Sequence, residues 1–189
     1  MKITVLGCGS IGKLWIAGLT QQAHEVQGWL RIPQPDFDVN VDSINGIPFQ
    51  QRIIANQKTW LQHSELLLVC LKSWQVSDAV NALIPHLSAD CPILLIHNGM
   101  GTLDELTLPE TPTKRAILQG IITHGAYQQD QKVLHTAEGI THIGPLNTTA
   151  RQYGYLAEIL HQALPDVAWH NDIHTISWLK LAVNCVINP

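Results

Sequence analysis

The sequence predicts an α/β fold: a doubly wound sheet, mostly parallel, with antiparallel strands added late in the chain. Three observations predict it. The apolar run Ile3-Thr4-Val5-Leu6 leads straight into Gly7-Cys8-Gly9-Ser10-Ile11-Gly12, and a helix-like stretch follows to Ala23. Two more apolar runs, residues 66–71 and 92–96, are bounded by polar residues, as expected for strands buried on both faces. The last stretch, residues 176–188, is apolar almost all round and belongs to a buried helical setting of a different kind.

In chain order, residues 2–6 read as a strand, 11–23 as a helix and 25–30 as a second strand. That β-α-β unit is the half-motif of a Rossmann-type sheet. Residues 32–42 hold Pro33, Pro35 and three aspartates, and read as a loop. Residues 43–54 read as a hairpin turning at Asn45-Gly46. The run at 66–71 is a buried parallel strand, and 76–87 has helical spacing. The run at 92–96 is another strand, ending at His97-Asn98-Gly99. Residues 103–106 suggest a short helix and 115–123 a strand. Beyond them, 132–135 and 139–143 alternate like an antiparallel pair joined by 136–138. A helix is expected at about 150–163, a short strand at 167–169 and the apolar helix at 176–188.

This order assigns residues 1–170 to a dinucleotide-binding domain and 171–189 to the first helix of an all-helical second domain. The apolar helix has one residue after it and nothing within the chain to bury it. The expectation is a chain cut inside that second domain, or a helix packed on a partner chain, with self-association in either case.

Composition narrows the class. Of 189 residues, 46% are hydrophobic and 14% charged, and the net charge is −4. No broad basic surface calls for nucleic acid. The longest apolar runs are too short to cross a bilayer, and the first residues lack the charged start, longer apolar run and cleavage site expected of a signal peptide. Cys8, Cys70, Cys91 and Cys185 are widely spaced without a C-x-x-C pair. Reduced thiols and a cytoplasmic location are therefore expected. His170 and His174 are four residues apart, but no third ligand type lies nearby, so no metal is expected.

The glycine motif carries chemistry because of its setting. Gly7 permits a tight turn, Gly9 lets a pyrophosphate approach the backbone, and Gly12 lets the helix pack closely on the strand. Unpaired N–H groups at the helix N-terminus then face the anion. Residues Gly7, Cys8, Gly9, Ser10, Ile11 and Gly12 are thus the expected seat of a dinucleotide. Arg31 lies nineteen residues past Gly12, where an acid would bind a ribose hydroxyl. An arginine there favours a 2′-phosphate, hence NADPH/NADP+ over NADH. Asp36 and Asp38 can supply a carboxylate only from beyond the proline-rich turn. Lys72 ends the strand at 66–71, at the sheet edge where ligands bind, and suits a phosphate or substrate contact. Asn98 ends the next strand, placed to bond a nicotinamide ribose or a reacting carbonyl, or simply to cap a helix. Lys180, Asn184 and Asn188 recur at i, i+4 and i+8, one polar stripe on an otherwise apolar helix. A lysine desolvated in a closed cleft is a candidate general acid.

Several stretches together resemble the ketopantoate reductases: residues 2–12, 25–35 (EVQGWLRIPQP), 66–80 (LLLVCLKSWQVSDAV), 92–101 (PILLIHNGMG), 139–145 (GITHIGP), 165–171 and 178–189 (WLKLAVNCVINP). The resemblance implies a Rossmann domain followed by an all-helical domain, and NADPH-dependent reduction of 2-dehydropantoate to (R)-pantoate. It places the cofactor on residues 7–12, its 2′-phosphate near Arg31 and Lys72, and its nicotinamide half by Asn98 and Ala126. It makes Lys180 the catalytic lysine and Asn184 and Asn188 substrate-binding asparagines, with Asn98 also on the substrate side. The family's glutamate and serine contacts from the helical domain have no counterpart here, so little turnover is expected of residues 1–189 alone. Two other readings remain: another NADP-dependent hydroxyacid dehydrogenase, and a non-catalytic NADPH-binding sensor.

Overall fold

The computed structural model describes residues 1–44, 46–97, 104–107 and 115–187, the last four of these by their backbone only. In chain order the strands are β1 (Lys2–Leu6), β2 (Glu25–Trp29), β3 (Asp36–Asp42), β4 (Pro48–Ile54), β5 (Leu66–Val69), β6 (Ile93–Ile96), β7 (Ile117–Ile122), β8 (Gly125–Gln129), β9 (Lys132–Ala137), β10 (Thr141–Pro145) and β11 (Val167–Trp169). The α-helices are α1 (Ser10–Gln21), α2 (Lys58–Gln62), α3 (Ser73–Leu83), α4 (Leu156–Ala163) and α5 (Ile173–Ile187).

Seven strands form the main sheet, in the order β11-β10-β7-β6-β5-β1-β2. From β2 to β7 every pairing is parallel. β10 then runs antiparallel to β7, and β11 runs parallel to β10. Each residue of β5 and β6 is buried, which explains their unbroken apolar composition: both faces of these central strands are covered. Carboxyl ends of the parallel strands gather at one edge, where an open α/β sheet binds ligands.

A second sheet of four strands, β4-β3-β9-β8, packs over α1. Helix α1 is therefore covered on two sides, by its own sheet and by this one. That is why Leu14, Trp15, Ile16, Ala17 and Leu19 are all buried in a single helix.

This sheet corrects two expectations. The loop expected at 32–42 is a strand from Asp36 onward, paired antiparallel with β4. Val39 and Val41 are buried on one face while the aspartates and Asn40 alternate with them, a period-two pattern that the preceding prolines disguise. The expected hairpin is real, but its first strand lies before residue 43. Asn45 lies outside the described residues, and Gly46 has φ +78°. The pairing of 132–135 with 139–143 does not occur. β9 pairs antiparallel with β8 and parallel with β3, while β10 returns to the main sheet beside β7. Asp130, at φ +53°, makes the tight β8–β9 turn. Alternation marks a strand but does not name its partner.

Helix limits also shift. The stretch expected at 76–87 begins at Ser73 and ends in a 3-10 turn, Ile84–His86, around Pro85. The one at 150–163 is a 3-10 segment, Thr148–Tyr153, followed by α4. α2 was not expected, and the helix expected at 103–106 falls partly outside the described residues. α5 starts at Ile173, three residues early, because the Asp172 carboxylate accepts bonds from the Thr175 hydroxyl (2.7 Å) and N–H (3.3 Å). Among the described residues no helix is long and apolar enough to cross a membrane.

Candidate functional site

A cleft of about 1110 Å³ opens at the carboxyl edge of the main sheet. Its floor is the turn between β1 and α1, where each glycine has a distinct physical reason. Gly7 sits at φ +94°, in the left-handed region. A Cβ on Gly12 would fall onto the Gly7 carbonyl oxygen, so any side chain would push α1 off the strand. A Cβ on Gly9 would meet nothing within 4 Å. No packing reason keeps Gly9 small; the free space above it belongs to the cleft. Gly9 is the N-cap of α1, no side chain caps that helix, and its first turn holds no acid. The helix start thus offers bare N–H groups and the positive end of its dipole to an anion.

Two cations border the cleft. Arg31 follows β2 and is exposed; Lys72 is the N-cap of α3, also exposed. Neither is in a salt bridge among the described residues. The Lys72 ammonium lies 5.2 Å from the centroid of the Trp74 ring. Trp74 is 71% exposed, lines the cleft and went unnoticed in the sequence, although it stands two residues from Lys72. Asp36 is occupied elsewhere, 2.7 Å from Arg52, and neither Asp36 nor Asp38 lines the cleft.

Cys8 and Cys70 also line the cleft but are poor nucleophiles. Burial pushes the Cys8 thiol up to about 12 and raises Cys70 as well. Cys8 donates instead to the Val5 carbonyl, 3.6 Å away.

At the far wall stands Ile122, the last residue of β7. Its carbonyl oxygen accepts a 2.5 Å hydrogen bond from Lys180 Nζ, which reaches down from α5. The lysine is half-buried, and burial lowers its pKa. Lys180 is not itself among the residues lining the cleft; it is tied to it through the carbonyl of Ile122, 168 residues beyond Gly12 in sequence. Asn184 lies one turn further along α5; its side chain, and all of Asn98 and Asn188, lie outside the described residues. Ala126 sits on β8 in the second sheet, packed on the core and not among the residues lining this cleft. His170 precedes α5, so it does not share a helix face with His174.

Chemically, the bare helix start and the open space over Gly9 suit an anionic group on the cleft floor, and one ammonium group is bonded to the backbone of Ile122, a lining residue. The family model described as "Ketopantoate reductase PanE/ApbA" matches residues 3–148. A 2-dehydropantoate 2-reductase of Yersinia pestis is 56% identical over all 189 residues. The chain spans 61% of the length of that relative. A 2-dehydropantoate 2-reductase structure from Geobacter metallireducens superposes with a TM-score of 0.82 at 24% identity, over 97% of this chain and 62% of that one. D-mandelate dehydrogenase, in a ternary structure with NADH and anilino(oxo)acetate, superposes at 0.78 with 18% identity, over 97% of this chain and 61% of that one. These two share the fold. With the family model covering most of its length, and the cleft built as described, the chain belongs to the ketopantoate reductase family.

Proposed function

We propose that this chain carries the cofactor-binding part and the proton donor of an NADPH-dependent 2-dehydropantoate 2-reductase. The observation that carries the reading is Lys180 Nζ on the Ile122 carbonyl, at the wall of the cleft whose floor is the glycine turn. The residues present suit the cofactor: open space over Gly9, an uncapped α1 and two cations without a salt bridge among the described residues. Backbone N–H groups of residues 7–12 hold the pyrophosphate, and Arg31 and Lys72 take a 2′-phosphate. Asn98 is assigned to the nicotinamide half; Ala126, on β8 in the second sheet, could join it only from outside the residues that line this cleft. Bound there, the reduced nicotinamide supplies a hydride for the ketone carbon.

Lys180 does the rest of the chemistry. Its ammonium hydrogen-bonds the ketone oxygen, draws charge onto it, and gives up a proton as the alkoxide develops. Ketone, hydride and proton sum to the alcohol, (R)-pantoate. Partial desolvation suits this step, because a lysine with a lowered pKa gives up its proton more readily. Asn98, Asn184 and Asn188 orient the substrate's carboxylate and hydroxyl. Residues 171–189 open the all-helical second domain, the exposed apolar side of α5 is the surface for association, and the enzyme works in the cytoplasm.

The test is steady-state reduction of 2-dehydropantoate by the complete enzyme, followed by loss of NADPH absorbance. Lys180→Ala is expected to lower kcat by about 10²–10⁴ while leaving NADPH affinity within about twofold. Turnover of a different 2-oxo acid alone would point to another hydroxyacid dehydrogenase. Unchanged NADPH binding with no turnover of any 2-oxo acid would point to a sensor.

A further inference from the structure

Lys180 reaches the cleft wall only because α5 is rooted on the sheet, and the root has its own construction. The connection from β11 into α5 lies flat on β10. The His170 N–H donates to the Ile143 carbonyl at 2.8 Å. A Cβ on Gly144 would strike the His170 carbonyl oxygen and come within 2.8 Å of Ile173, so only glycine admits this approach. Two residues before Gly144, on the same face of β10, His142 Nδ1 meets His170 Nε2 at 2.9 Å. The two rings lie 4.8 Å apart, inclined at 63°. His142 stands opposite Ile121 in the β10–β7 register, one residue from the Ile122 whose carbonyl receives Lys180.

We infer that the His142–His170 pair is a positioning latch for Lys180, fixing the root of α5 so that the ammonium is held at the cleft wall. The functional meaning of the latch rests on Lys180 being the proton donor. A ring-to-ring N–H···N bond needs one donor and one acceptor. It exists with no proton added, or with one, and fails when both rings are protonated. The groups acting on His142 are His170, from the connection, and Lys180, from α5. Its strand neighbours in register, Ile121 of β7 and Ala168 of β11, do not titrate. Arg151, in the 3-10 segment beside β10, is exposed, and Asp172 is bonded to Thr175. Burial, then His170 and Lys180, all disfavour a proton on His142. The latch is thus closed at neutral pH. In acid, a proton on His142 places a like charge beside the ammonium and fixes His142 as the donor, so the bond survives only where His170 accepts.

The experiment follows the side-chain NMR signals of Lys180 in residues 1–189 from about pH 8 to about pH 5. His142→Gln keeps a hydrogen-bonding group for His170 but takes up no proton; His170→Gln is its mirror. The wild-type Lys180 signal is expected to move with an inflection below the ordinary histidine value, and both glutamine variants to lose it while keeping the backbone spectrum. In the complete enzyme, kcat is expected to fall on the acid side, with KM for NADPH steady, and His142→Gln to remove that fall. A wild-type Lys180 signal with no such inflection, or the same inflection in both variants, would overturn the latch. An inflection that both variants abolish, beside a complete enzyme with no turnover, would support the latch and overturn the reductase reading.

Discussion

The glycine turn and the root of α5 position their groups by opposite means. At the turn, position is set by backbone: Gly7 holds φ +94°, Gly12 lies against the Gly7 carbonyl, and α1 is packed between two sheets. At α5, position is set by one long side chain and by the contacts where the helix begins. Beyond that root, Trp178 and Leu179 are each 60% exposed and Val183 is 53% exposed. A site made of backbone amides carries no titratable group and responds to substitution all or none. A site made of a lysine held by histidines responds to pH and tolerates graded change. On the proposed function, binding the cofactor and supplying the proton are thus separable.

The largest break in that comparison comes from the glycines themselves. Gly12→Ala puts a methyl group onto the Gly7 carbonyl, and we expect a loss of about 3 kcal/mol in urea unfolding. Cofactor binding should go with it. Gly9→Ala has nothing to collide with among the described residues, so stability should stay within about 0.5 kcal/mol. Yet NADPH should bind at least about tenfold more weakly, since the methyl occupies the ligand's space. Equal stability losses in the two variants would erase the distinction between packing glycine and binding glycine.

A smaller effect sharpens the cofactor side. Arg31→Ala and Lys72→Ala each remove a charge-assisted contact of about 1.5–3 kcal/mol, or roughly ten- to hundredfold in NADPH affinity. NADH, lacking the 2′-phosphate, should change little. Calorimetric titration of each variant with both nucleotides measures the difference.

The smallest effect concerns acid. His124, His135 and His142 all have lowered pKa values, in each case chiefly through burial. His124 and His135 form a second ring-to-ring bond, at 3.1 Å, between the β7–β8 connection and β9. The unfolded chain therefore takes up protons first, from about pH 6.5 downward. Stability is full above that range and falls as pH drops through it toward the folded-state values. A Tm constant from pH 8 to pH 7 and lower by a few degrees near pH 5.5 is the expected scan. Replacing His124 by Gln should flatten part of the fall.

How far the sequence could be read follows from which interactions are local. The main sheet was legible because a strand buried on both faces is an unbroken apolar run, as in Leu66–Val69 and Ile93–Ile96. The turn was legible because its three glycines answer to constraints within six residues of each other. The second sheet was not. β8 is a half-exposed edge of polar and small residues, and β3 hides behind two prolines. Pairing of β9 with β8 and β3 was decided by tertiary contacts that alternation alone does not encode. In the site, Arg31, Lys72 and Lys180 stood out as charges in apolar surroundings. The His142–His170 bond joins residues 28 apart, and the Lys180–Ile122 bond residues 58 apart, with no sequence signature for either meeting.

If the cleft seats a 2′-phosphorylated dinucleotide, its affinity must depend on the 2′-phosphate. Calorimetric titration of residues 1–189 with NADPH, NADH, 2′,5′-ADP and 5′-AMP measures this directly. We expect NADPH to bind at least about tenfold tighter than NADH, and 2′,5′-ADP to bind tighter than 5′-AMP by a similar factor. No binding of any of the four, or equal affinities for NADPH and NADH, would contradict the reading of Arg31 and Lys72 and of the glycine turn beneath them.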